Sequence, residues 1–193
     1  MLVKRSEKGL TLIELMIGMI VGLIVLSAVI YVFLLTIRTS ADVRNGALLN
    51  KESTFLTDLI AGEIRRIGFT SASTAIPTAI FGIPNTSCLV YTYDKDTSTP
   101  GTTDDGYFAI WSAGGALYFS SAATVSACPT ATTGQISSSL VSAGITSFSA
   151  NSVSAANGSS VNTITFTLEV ATKADDSWSI QLNKTVKIRN DEI

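Results

Sequence analysis

The sequence predicts an α+β protein: one long N-terminal helix, membrane-spanning in its first half, packs by its second half on a mostly antiparallel β-sheet domain. Three observations lead there. Residues 15–37 form an apolar run without a charge, a proline-free amphipathic pattern continues to Ile67, and the rest alternates short apolar stretches with Ser, Thr, Gly and Asn. The expected layout is a leader over residues 1–9, a transmembrane helix over 10–38, its amphipathic continuation over 39–68 and a β-rich globular domain over 69–193.

The leader carries Lys4, Arg5 and Lys8 against Glu7. A positive flank ahead of an apolar run stays in the cytoplasm, which sends the C-terminal domain to the other side of the membrane. The run itself is about 23 residues, roughly 34 Å of helix, enough for a bilayer core of about 30 Å. A secretory signal peptide has an apolar core of only about 7–15 residues and closes on a small-residue cleavage site, and neither feature fits here. Gly18 and Gly22 have the G-x-x-x-G spacing that lets helices approach closely, and they fit equally the general abundance of glycine in membrane helices.

Glu14 stands at the head of this run among Leu, Ile, Met, Gly and Thr. A carboxylate at the bilayer centre costs about 2.5–3.5 kcal/mol even on insertion scales, so it belongs near the interface or beside a cation. Thr11 and Glu14 also have the spacing of a capping box, in which both side chains satisfy free amides at a helix start.

Beyond Arg38, Leu48, Leu49, Phe55, Leu56, Leu59, Ile60, Ile64 and Ile67 recur at helical spacing. Asp42, Arg44, Lys51, Glu52, Asp58, Glu63, Arg65 and Arg66 fill the other positions. Gly68 suits a C-cap, so one helix over residues 10–67 is expected. Gly46 and Gly62 each weaken it by up to about 1 kcal/mol against alanine and mark places for a bend.

Residues 70–86, with Pro77 and Pro84, read as a connecting loop. Strand-like runs follow at 88–93, 107–112, 116–120, 145–150, 161–170 and 178–189. The alternation is strongest in Ile164, Phe166, Leu168 and Val170 and in Trp178, Ile180 and Leu182, with a turn at 174–177 that makes the pair an antiparallel hairpin. Residues 120–160, poor in charge, read either as a surface loop or as edge strands offered to a neighbour.

Composition narrows the function. About 155 residues outside the membrane run suffice for one domain with its own core. The net charge is −2, 15% of residues are charged, and no basic cluster is interleaved with aromatics, so no nucleic acid is expected as a partner. Histidine is absent, which removes Ser-His-Asp and Cys-His nucleophiles and every histidine-dependent metal site. No carboxylate or lysine constellation replaces them, so the expectation is a non-enzyme without cofactor or metal. Asp94, Asp96, Asp104 and Asp105 crowd one stretch; oxygen-rich loops can hold calcium, but these residues read equally as turns bounding strands. Cys88 and Cys128 are the two cysteines. In an exported domain they are expected to form one disulfide, the alternative being two buried thiols. Closing a loop of about 40 residues is worth roughly 4 kcal/mol on the chain-entropy model.

The N-terminal residues also carry a resemblance. Lys8-Gly9, then Leu10 and Thr11-Leu12-Ile13-Glu14-Leu15 ahead of an unbroken apolar helix, resemble the processing signal of type IV pilins and type II secretion pseudopilins. The resemblance implies a type IV pilin-like fold, cleavage between Gly9 and Leu10, N-methylation at Leu10, and Glu14 as the fifth residue of the mature chain. It also implies a role for Glu14 in filament assembly: the carboxylate faces a neighbour's N-terminal amine in a low-dielectric core, where an unpaired ion is costly.

Asn45-Gly46-Ala47-Leu48, Phe55-Leu56-Thr57-Asp58 and Glu63-Ile64-Arg65-Arg66-Ile67-Gly68-Phe69 resemble the helix end of PilW-type minor pilins, although Arg65 and Arg66 fit a solvated face as well. Lys184-Thr185-Val186-Lys187-Ile188-Arg189-Asn190 resembles their closing strand. Many major pilins have a proline in mid-helix, whereas the first proline here is Pro77, a departure that suits a minor subunit.

The function so implied is that of a structural minor pilin in an initiating or tip complex that primes type IV pilus assembly. The alternatives are a minor pseudopilin of the GspJ type or a tip adhesin binding through its Ser/Thr-rich loops. The implied partners are other minor pilins and the major pilin, the prepilin peptidase/N-methyltransferase, the inner-membrane pilus assembly machinery, and membrane lipid before assembly. The implied location is the bacterial inner membrane with the domain in the periplasm, then the pilus at the cell surface.

Overall fold

Thr11 opens the first element. Its carbonyl accepts the amides of Glu14 and Leu15 at 3.1 and 3.2 Å, and its Oγ1 accepts the Glu14 amide at 3.4 Å, so it is the N-cap of the helix. The computed structural model describes residues 11–69, 80–93, 106–130, 132–154, 160–173 and 178–189. In it α1 runs without a break from Leu12 to Arg66, close to the expected 10–67. Inside the apolar half and just beyond it, Ser27, Thr36, Thr39 and Ser40 return their hydroxyls to the carbonyls of Ile24, Val32, Leu35 and Thr36. Their polar groups are thereby satisfied within the helix itself. Gly68 ends it at φ 73°, where only glycine is unstrained, and donates to the Thr92 carbonyl at 3.0 Å.

The chain divides into two units, Met1–Arg44 and Asn45–Ile193. In the first, every described residue is exposed. The second has its own core, and its β residues form two antiparallel sheets. One orders β1 (Phe81–Asn85), β2 (Cys88–Tyr91), β3 (Tyr107–Ala113) and β4 (Ala116–Ala122) in sequence; the other orders β5 (Val141–Ser154), β6 (Ser160–Thr172) and β7 (Ser179–Lys187). Gly114 and Gly115, at φ 57° and 73°, turn β3 into β4 as two successive left-handed residues, the geometry of a tight hairpin. The sheets are joined by backbone bonds from Ala143 to the Gly115 carbonyl and from Phe148 to the Thr86 carbonyl.

The core forms where α1 meets both sheets. Leu56, Ile60 and Ile64, spaced by one turn, are fully buried in one cluster with Leu89, Ile110 and Phe166. Burial of each such side chain contributes about 1.5–3 kcal/mol. A second cluster on the other face of the first sheet joins Cys88, Val90, Ala109, Trp111 and Tyr118.

Several expectations are corrected. Residues 81–85, read as loop, form edge strand β1, and Pro84 falls where its register with β2 is irregular, a place that does not need the proline amide. Of the two readings of residues 120–160, the edge strand holds for 141–154, which form β5 at a sheet edge and extend the expected run at 145–150 in both directions. The β6–β7 hairpin pairs as expected, Phe166 opposite Lys184 and Leu168 opposite Leu182, while its turn at 174–177 lies outside the described residues. Phe55, placed on the apolar face, is 52% exposed, and Glu52, placed on the polar face, is 9% exposed.

Candidate functional site

The head of α1 is the first candidate. Lys4, Arg5, Lys8, Gly9 and Leu10 lie outside the described residues, as do Asp94, Asp96, Asp104 and Asp105. Glu14 is the acidic residue of the first turn, where the positive end of the helix dipole favours a carboxylate. It is exposed, and among the described residues its carboxylate has no partner. Behind it the large apolar side chains from Leu12 to Ile37 are each at least half exposed, a continuous surface far beyond what a soluble domain shows to water. Length and composition suffice for this segment to cross a membrane. A Cβ at Gly18 or Gly22 would meet no atom within 4 Å, so both backbones are open to close approach by another helix.

The C-terminal part of the same helix is fixed to the domain through polar groups that the sequence places on a solvated face. The Tyr91 hydroxyl donates to Glu63 Oε2 at 2.9 Å, and Arg66 Nη1 donates to Glu63 Oε1 at 2.7 Å. Burial first, then the Glu63 charge, holds the Tyr91 phenol well above its ordinary pKa, and Tyr93 is raised for the same two reasons. Glu52 Oε1 accepts the Ser138 amide at 2.6 Å, and Lys184 Nζ meets Asp58 Oδ1 at 3.2 Å. Glu52 follows Leu49 by three residues and precedes Leu56 by four, which puts it on the buried arc; that spacing is the signal that could have identified it.

The third feature is the Cys88–Cys128 disulfide, with Cα atoms 6.3 Å apart. It ties β2 to the segment that follows β4. Further along that segment, Phe119 donates to the Gly134 carbonyl and Ile136 to the Leu117 carbonyl, both at 2.9 Å, while the Ser137 hydroxyl accepts the Leu117 amide at 3.0 Å. These bonds cover the outer edge of β4 and remove a template for unwanted strand pairing. Among the described residues no three His, Cys, Asp or Glu side chains are grouped to hold a metal ion. The Glu63, Glu52 and Lys184 side chains bind other side chains or the backbone; their chemistry holds elements together.

An apolar helix that requires lipid or other helices around it, capped at Thr11 and continuing into a disulfide-clipped antiparallel domain, defines a type IV pilin-like protein. Residues 4–30 match the family model of the prokaryotic N-terminal methylation motif, and residues 43–188 match that of prepilin peptidase-dependent protein B. The second match covers most of the chain, which belongs to the prepilin peptidase-dependent protein B family. Searches of curated proteins and of solved structures found no match. Membership in this family makes the prepilin peptidase a partner and pilus assembly the setting, and pilin-like families are structural.

Proposed function

We propose that the chain is a minor pilin of a type IV pilus, of the PilW type, acting as a structural subunit of an initiating or tip complex that primes assembly. The peptidase cuts between Gly9 and Leu10 on the cytoplasmic face, where Lys4, Arg5 and Lys8 hold the leader. The new N-terminus at Leu10 is methylated. The apolar helix then anchors the subunit in lipid, with the Asn45–Ile193 unit in the periplasm, until it passes into a filament core and pairs Glu14 with a neighbour's N-terminal amine. Other minor pilins, the major pilin and the inner-membrane assembly machinery are its partners there.

The observation that carries this reading is the register at the head of α1. Gly9, the Thr11 cap, Glu14 and the charge-free helix fall in the order of the processing signal, and all but the end of that helix lies within the span matched by the methylation motif. Mass spectrometry of the protein recovered from membranes tests it. The expected species starts at methylated Leu10 and is two hydrogens lighter than the reduced chain. A native protein that keeps residues 1–9 in cells containing the peptidase overturns the reading.

A further inference from the structure

Arg65, Thr185, Val186, Lys187 and Arg189 line a cleft of about 300 Å³. Arg65 belongs to the last turn of α1, and the other four to the end of β7 and the residues just beyond it. The side chains of Arg65, Lys187 and Arg189 are exposed. Among the described residues none of the three meets a carboxylate, whereas the neighbouring cations Arg66 and Lys184 are neutralised by Glu63 and Asp58. Val186, 3% exposed, supplies an apolar floor.

A second observation concerns the strand itself. β7 is the end strand of its sheet and pairs with β6 alone among the described strands. The outer edge of β4 is covered by residues 134–136, and no described segment does the same for β7. An open edge offers a row of backbone donors and acceptors to an incoming extended chain. Lysines on an edge strand ordinarily serve to discourage such pairing. That accounts for Lys187 but not for Arg65, which reaches the same cleft from the helix.

We propose that this cleft and edge bind an extended acidic peptide segment of another subunit, which adds a strand along β7 and places its carboxylates among Arg65, Lys187 and Arg189. The two guanidinium groups suit bidentate carboxylate pairing, and the lysine adds a mobile point charge. A nucleic acid would need a longer basic stripe than three side chains on a protein of net charge −2. The subunit reading enters only in naming where the peptide comes from, and binding to the purified protein is independent of whether Gly9–Leu10 cleavage occurs.

The test uses the full chain in non-ionic detergent and a short fluorescent peptide of alternating threonine and aspartate. Binding is expected to weaken at least about tenfold when asparagine replaces aspartate in the peptide, when its alternate amides are N-methylated, or when the protein carries Arg65→Gln, Lys187→Gln and Arg189→Gln together; a tenfold change is about 1.4 kcal/mol. Retention of the Cys88–Cys128 disulfide and of the circular dichroism spectrum verifies that the variant is folded. A second variant, Lys187→Glu with Arg189→Glu, is expected to prefer the lysine counterpart of the peptide. Absence of binding, equal binding of the asparagine peptide, unchanged binding by the triple variant, or tighter binding of an oligothymidylate strand overturns the proposal.

Discussion

At the scale of single residues, Tyr91 and Glu63 show how a carboxylate on a helix that looks solvated in sequence becomes a joint. The spacing of leucine and isoleucine identifies which arc of α1 is buried, but it does not say that a tyrosine 28 residues further on will donate a hydrogen bond to Glu63. The pH dependence follows from burial. In the unfolded chain the phenol titrates near its ordinary value of 10.0, while in the folded protein it holds its proton to well above that. The folded state therefore binds more protons above about pH 10, and stability falls there by up to about 1.4 kcal/mol per pH unit for each such group. Tyr91→Phe is expected to remove part of this alkaline slope and to cost about 1 kcal/mol at neutral pH for the lost hydrogen bond; denaturant titrations across the pH range measure both. An unchanged slope in the variant would show that Tyr93 or other groups carry it. Glu14 yields a different expectation, since among the described residues no contact uses its carboxylate. Glu14→Ala is expected to leave membrane insertion and folding intact and to impair recovery in sheared pili, and normal incorporation would remove its assembly role.

At the scale of elements, what was legible in the sequence is what has a strong period. The helix was legible because charge is missing over 15–37 and because leucine and isoleucine recur by turns thereafter. β6 was legible because Ile164, Phe166, Leu168 and Val170 alternate, all of them buried in the structure. β1 was not, since Gly82 and Pro84 interrupt a strand of only five residues whose pairing with β2 is irregular. The length of β5 was hidden by serine and alanine, which carry little pattern, and by a register shift between Ile145 and Ser147 that moves the inward positions to Ala143, Ile145 and Phe148. The segment after β4 is held by the disulfide, the Gly134–Phe119 bond and Glu52, not by regular structure of its own. Replacing Cys88 and Cys128 together by serine is therefore expected to lower stability by up to about 4 kcal/mol and to make residues 123–140 the first site of limited proteolysis. Cleavage elsewhere first, with unchanged melting, would contradict this. Gly134→Ala acts on the same segment by another route: at φ 81° an added Cβ is strained and meets the Phe119 carbonyl, so a loss of more than about 1 kcal/mol is expected in thermal unfolding.

At the scale of the whole molecule, one helix serves two solvents. Its described residues in the Met1–Arg44 unit are exposed, and from Leu15 to Ile37 they carry no charge, so among the described residues no core covers this apolar surface from water. Its residues in the Asn45–Ile193 unit complete a core that already includes both sheets. The division of labour makes the two parts separable in energy: deleting the half-exposed side chains of the first unit opens no core, whereas Leu49, Leu56, Ile60 and Ile64 cannot be removed without opening one. A chain that starts at residue 39 is accordingly expected to be soluble without detergent, to form the Cys88–Cys128 disulfide and to melt in one cooperative transition within a few degrees of the full chain in micelles. The full chain is expected to aggregate when detergent is withdrawn, because its apolar surface then has only other copies of itself to cover it. Calorimetry and size-exclusion chromatography of the two forms decide the matter. If the shortened chain unfolds or precipitates, the membrane half contributes to the folding of the domain, and the helix is one structural unit instead of an anchor continued into a core.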